Sequence, residues 1–177
     1  MGDIFELDYN NLLDGKPSIQ ISNEGRRILE CLSFNPEEVK KYAQEHQVYS
    51  LCFEDEVIVD GKHAFGSCIS DPPSNNLIGE IKTYKITLRK NIDSNMRQTE
   101  INQIKNKFGI EILEKEFYYW LFFHELGHTI KGSGEQYHAG FIDKTKSSEF
   151  KKKQEELAEK YCLHLYREWK TKKAGGI

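Results

Sequence analysis

A chain of 177 residues is about one domain long, and Leu, Ile, Val and Phe supply 45 of those residues, enough for a core rather than a disordered chain. A charged fraction of 30% with a net charge of −3 carries no electrostatic footprint for nucleic acid, so no direct nucleic-acid binding is expected. The longest apolar run, Phe117–Phe123, is far below the ~20 residues of a membrane span. The opening residues lack the pattern of a secretory signal, and Cys31, Cys52, Cys68 and Cys162 form no C-x-x-C pair. These features predict a cytoplasmic chain with reduced thiols and no membrane partner.

The elements divide a single domain, 1–177, into a helical N-terminal part (1–47), a sheet (48–89) and a helical part (93–172). Residues 1–21 contain an Asp14-Gly15 turn signal but fit no periodic template. Ser22 can cap a helix to Leu32, and Asn35-Pro36 starts a second one to about Gln47, with proline at the position where its missing N–H is harmless. Val48–Phe53, Glu56–Asp60 and Ala64–Ile69 read as strands, with Asp60-Gly61 as a turn. Residues 71–76 are loop by composition, and Tyr84, Ile86 and Leu88 share one parity within a strand from Glu80 to Arg89. Asp93 to Phe108 reads as a helix closed by Gly109. A helix of residues 110–131 closed by Gly132, a loop over 132–147 and a final helix from Ser148 to Lys172 follow.

The chemistry is concentrated in His124-Glu125-Leu126-Gly127-His128, an H-E-x-x-H motif. Residues four apart share a helix face, so both imidazoles reach one metal ion. Zn²⁺ takes two neutral histidines and a third protein ligand while leaving a position for water. Glu125 then stands beside the metal as a general base that takes the water's proton during attack on a carbonyl. Chance alone would produce about 0.02 such motifs in a chain of this composition. The plain alternative is a pair of histidines held by carbonyls or carboxylates on an ordinary helix.

The third ligand separates the classes of such sites. A metzincin would place glycine at 131 and histidine at 134, where this chain has Lys131 and Gly134. The final helix offers a glutamate instead. Ala158, Cys162, Leu165, Tyr166 and Trp169 form an apolar stripe within about 80° of Glu155, whereas Glu156 falls on the side of Lys160 and Arg167. A carboxylate on an otherwise apolar face needs a partner to offset its desolvation, and Zn²⁺ is such a partner; a lysine on a neighbouring helix is the simpler one. Glu159, one turn later, suits a role accepting the free N–H of a ligand histidine.

These residues resemble a known family. H-E-L-G-H followed 27 residues later by E-x-x-A-E-x-Y-C is similar to the pattern of the ImmA/IrrE zinc metallopeptidases, whose second half reads E-x-x-A-(D/N)-x-F-A. The resemblance spans roughly residues 80–170 and implies a zincin-like α+β fold, with a small sheet packed on the motif helix and a long C-terminal helix carrying the third ligand. It assigns His124, His128 and Glu155 as zinc ligands and Glu125 as the general base. It also implies a protein substrate, a helix-turn-helix transcriptional repressor. The departures are Glu159 for Asp or Asn, and Tyr161-Cys162 for Phe-Ala.

Other residues carry weaker signals. Tyr137 and His138 lie in the loop between the ligand-bearing segments, where either could donate to a developing oxyanion. His46, His63 and His164 have no partner pattern. The strand Glu80–Arg89 is a candidate edge for an extended peptide. The resulting expectation is a zinc-dependent endopeptidase. Two alternatives stay open: an inactive zinc-stabilised binding module, and a metalloprotease toxin or effector with another target.

Overall fold

The computed structural model describes residues 2–71, 82–139 and 147–175. The expected loop at 72–76, the start of the strand expected from Glu80, and Gly140 in the expected loop 132–147 lie outside them. The chain begins with two antiparallel strands, β1 (Phe5–Leu13) and β2 (Lys16–Ile21), joined at Asp14-Gly15. The stretch 1–21, unassigned from the sequence within a part expected to be helical, is thus a hairpin about the Asp14-Gly15 turn. The alternation that marks a strand is broken by a bulge between Asp8 and Leu12, and the tip residues Leu12 and Leu13 are exposed, so no periodic apolar face survives in the sequence.

Two capped helices follow. Ser22 accepts from Gly25 N–H at the start of α1 (Asn23–Cys31). Asn35 accepts from Glu37 and Glu38 N–H at the start of α2 (Pro36–Glu45). The expected single sheet of residues 48–89 is divided. β3 (Val48–Glu54), β7 (Thr83–Arg89) and β6 (Gly66–Asp71) form one sheet in the order β3-β7-β6, parallel between β3 and β7 and antiparallel between β7 and β6. β4 (Val57–Val59) and β5 (Lys62–Ala64) form a separate hairpin whose turn, Asp60-Gly61, has positive φ at both residues, the conformation a tight two-residue hairpin demands.

The helical half opens with α3 (Ser94–Phe108), capped by Asp93 and closed by Gly109 in the left-handed conformation. The expected helix of residues 110–131 is shorter: a 3-10 turn at Glu114–Glu116, then α4 (Phe117–Leu126), a tight turn, and α5 (Ile130–Ser133). Glu116 explains the late start. Its buried carboxylate accepts from Leu113 N–H, Tyr166 O–H at 2.8 Å and Lys170 Nζ at 2.7 Å, which pins the chain there. The last helix, α6 (Ser148–Gly175), has the expected extent.

α4 is apolar on every side and buried on every side, from Phe117 to Phe123, the pattern of a helix inside a core. Phe34 sits edge-on to Tyr118, Tyr119 and Phe122, and Trp169 of α6 stacks on Tyr119 with ring centroids 4.3 Å apart. The sheet lies against the same helix: Phe53 and Tyr118 are in edge contact, and Tyr118 O–H donates to Arg89 O at 2.8 Å. The whole is an α+β arrangement in which α4 is held between the small sheet and α6. Among the described residues no helix is long and apolar enough to cross a membrane, and Cys31, Cys52 and Cys162 are free thiols.

Candidate metal centre

α4 and α6 meet where Gly127 touches Ala158. A Cβ on Gly127 would lie 2.6 Å from the Ala158 carbonyl oxygen and 2.7 Å from its Cα. Only a residue without a side chain permits that approach. The contact sits one turn beyond His124 on the first element and one turn beyond Glu155 on the second, so it brings the three expected ligands together. The end of α4 tightens here: His128 N–H bonds to Glu125 O at 3.0 Å and Thr129 N–H to Leu126 O at 3.1 Å. His128 therefore lies two residues beyond Leu126, the last residue of the regular helix, and its carbonyl is fixed from outside by Ala139 N–H at 2.6 Å.

His124 Nε2 lies 3.3 Å from one Glu155 oxygen, and His128 Nε2 lies 3.2 Å from the other. The three donors form a group that can hold a metal ion. The two contacts are made to different Glu155 oxygens, and one donor atom from each of the three residues lies within 4.8 Å of the others. The Glu155 side chain is 56% exposed because the apolar stripe of α6, buried from Ala158 to Trp169, gives way to a cavity at this level. Glu156 is exposed on the other side.

The electrostatics favour positive charge at this point. Burial pulls the His124 imidazole down, but the Glu155 hydrogen bond and the charges of Glu125, Glu155 and Glu159 outweigh it and lift its pKa to about 9. Burial pushes Glu155 up, yet hydrogen bonds from His124 and His128 hold it well below the usual carboxylate range. Glu125 is 6% exposed. Burial raises its carboxyl, with His124 and His128 opposing and Glu155 assisting. A carboxyl raised in this way is the better proton acceptor. Its Oε1 lies against the backbone of Gly66, where a Cβ would come within 3.0 Å of it.

The donors open into a cleft of about 1060 Å³. Its walls are α3, the β4–β5 hairpin, β6 and the start of α6. The expected edge strand was Glu80–Arg89, but β7 is the middle strand, with β3 and β6 at the two edges among the described residues. A strand's place in a sheet is set by distant pairing, here β3 with β7, and local alternation does not report it.

Three weaker assignments change. Glu159 lines the cleft, but its Oε2 is paired with Lys107 Nζ at 2.5 Å, and among the described residues no hydrogen bond joins it to an imidazole. His138 is fully buried, edge-on to Tyr84, with Nδ1 3.3 Å from the Tyr84 hydroxyl and Nε2 3.3 Å from Lys82 Nζ. It supports the turn after α4, since the same Tyr84 hydroxyl accepts from Ile130 N–H. Tyr137 stacks on Phe150 at 4.9 Å. Neither Tyr137 nor His138 is among the described residues that line the cleft. His46 is buried between Tyr42 O and the Tyr161 hydroxyl, His63 is exposed on β5, and His164 pairs with Glu168 at the surface. Sequence reading missed Glu100 of α3, which faces His124 across the cleft; no motif marks it.

No family model, no curated protein and no solved structure matches this chain.

Proposed function

We propose that this chain is a zinc-dependent endopeptidase with a zincin-like fold. The observation that carries the reading is the metal-ligand spacing of His124, His128 and Glu155 beside a buried Glu125 that has no ion pair of its own among the described residues. A metal-binding structural module requires the first three residues and has no use for the fourth.

In this reading His124, His128 and Glu155 hold Zn²⁺, which when bound acidifies water and polarises a carbonyl. Glu125 takes the proton of the attacking water and returns it to the leaving amine. Its raised carboxyl suits both steps. Gly66 lets the backbone of β6 pass close to that carboxylate, so a substrate extended along β6, which pairs only with β7 among the described residues, brings its carbonyls past Glu125. The resemblance of residues 124–128 and 155–162 to the ImmA/IrrE peptidases supports a protein substrate, and a helix-turn-helix repressor is the first to test. The cytoplasm is the compartment consistent with free thiols at Cys31, Cys52 and Cys162.

The test uses purified protein and a co-expressed candidate repressor. Wild type is expected to hold close to one zinc by metal analysis and to cut the partner. Glu125→Gln should keep the zinc and lose about 10²–10⁴-fold in rate. Glu155→Gln should weaken zinc binding by more than the ~100-fold that follows loss of an outer partner, while Glu156→Gln leaves it unchanged. Full cleavage by Glu125→Gln would overturn the mechanism, and equal zinc loss from the two α6 variants would remove Glu155 from the site.

A further inference from the structure

The charges of the cleft are almost all committed to one another. Asp60 Oδ2 lies 3.5 Å from Lys151 Nζ, Glu159 pairs with Lys107, and Glu155 faces both imidazoles. Two lining carboxylates have no hydrogen bond or ion pair among the described residues, Glu125 and Glu100. The first has a role in the chemistry proposed above. Glu100 has none.

Its position is not that of a solvated surface residue. α3 buries Ile101 and Ile104, while Glu100, Gln103 and Lys107, spaced by three and four residues, turn a polar stripe into the cleft. Glu100 is half-buried there, within electrostatic reach of His124. A helix selected only to cover a core would present apolar side chains at these positions. The surroundings add a second observation. Five carboxylates, Asp60, Glu100, Glu125, Glu155 and Glu159, line the cleft against Lys107 and Lys151, so even a divalent ion leaves it net negative. Such a cleft gathers cations. A second metal ion is not the occupant, because the one group of three ligand residues among those described is His124, His128 and Glu155.

We infer that Glu100 determines specificity: its carboxylate receives a cationic group of the substrate, an ammonium or a guanidinium, on the α3 side of the cleft. The inference rests on the peptidase reading and names the substrate class it acts on, a peptide with a positive charge near the bond to be cut. The cation is either a lysine or arginine side chain or a free N-terminal amine.

The experiment measures binding apart from cleavage. Zinc-loaded Glu125→Gln protein is titrated by fluorescence anisotropy with octapeptides carrying Lys, Met or Glu at each position in turn, with the N-terminus free or acetylated. Lys at one position, or the free amine, is expected to tighten binding by about 10- to 100-fold over its neutral counterpart, the range of a charge-assisted contact. A side-chain preference survives acetylation, and an amine preference does not. Adding Glu100→Gln should erase the difference, and adding Glu100→Lys should invert it toward the Glu peptide. No cation preference, or one that persists in Glu100→Gln, overturns the assignment. Cleavage of the tightest peptide by wild type is scored separately: selective binding without cleavage defeats the peptidase reading and leaves Glu100 as a cation-selecting residue.

Discussion

Where α4 meets α6, the floor of the cleft, backbone touches backbone and the polar groups between the helices are buried and bonded. Where α3 and the β4–β5 hairpin form the walls, the contacts across the cleft are lysine–carboxylate pairs open to water. Along this junction Tyr166 and Lys170 donate to the buried Glu116, and Cys162 Sγ donates to Trp120 O. In the walls, the Lys107–Glu159 and Lys151–Asp60 pairs have lysines about 60% exposed. Buried bonded carboxylates are costly to disrupt, whereas exposed pairs contribute about 0–1 kcal/mol. The three residues that could hold a metal stand on the floor, and the rest of the cleft is lined by walls joined through weak, exposed pairs.

The most severe way to break the floor is one methyl group. Gly127→Ala sets a Cβ against the Ala158 backbone at 2.6 Å, and no flexible side chain can yield there. The two helices must separate, at the upper end of the ~1–3 kcal/mol that overpacking costs. Because the same contact aligns His124 with Glu155, the variant should also lose zinc affinity. Urea unfolding with metal analysis checks both. A Gly127→Ala protein with wild-type stability and zinc content would show that the close approach is not what positions the ligands.

Acid should loosen the floor as well. His46 ends α2 and is bonded to Tyr161 of α6, and burial lowers its pKa to about 4. Between the ordinary histidine value near 6.5 and pH 4, the unfolded chain binds a proton that the folded chain refuses, so stability falls as pH falls through this window. Over that span the loss approaches about 3 kcal/mol, and below pH 4 this group adds nothing further. In His46→Gln the dependence between pH 7 and 4 should be flatter by that amount, measured by urea unfolding at several pH values. Equal slopes in the two proteins would place His46 in water rather than in the floor.

The contrast also marks what could be read from the residues alone. The floor was legible. An unbroken apolar run at 117–123, the stripe from Ala158 to Trp169 and the H-E-x-x-H spacing are local patterns with local meaning, and the caps at Ser22, Asn35 and Gly109 stood where the chain placed them. The walls were not. Glu100 belongs to no motif and acquires its setting only when α3 folds over the cleft. His138 looked like a loop residue because nothing nearby announces that Tyr84, far away in sequence, covers it. The β1–β2 hairpin hid behind its bulge, and β7 became the middle strand only through the distant pairing of β3 with β7.

The smallest expected effects come from the walls. Lys107→Gln and Lys151→Gln remove one partner from each exposed pair, and each should change stability by about 0.2–1 kcal/mol. For a chain of this size that is a shift in Tm of under about 4 °C. The shift should shrink further at 0.5 M salt, where exposed charges are screened over a few ångströms. Local opening should respond more than global stability does. α3 buries only Ile101 and Ile104 and is held at its N-terminal end by Arg97 and Ser94 on Glu114, at 2.7 and 3.1 Å, and at its C-terminal end by Lys107 and by Phe108 against Trp120. Freeing Lys107 therefore releases one end of the helix while the other stays anchored. Hydrogen exchange should quicken in the C-terminal half of α3 and stay unchanged in α4 and α6. If Lys107→Gln instead lowers Tm as far as Gly127→Ala does, or speeds exchange in α4, then wall and floor unfold as one unit and the distinction between them fails.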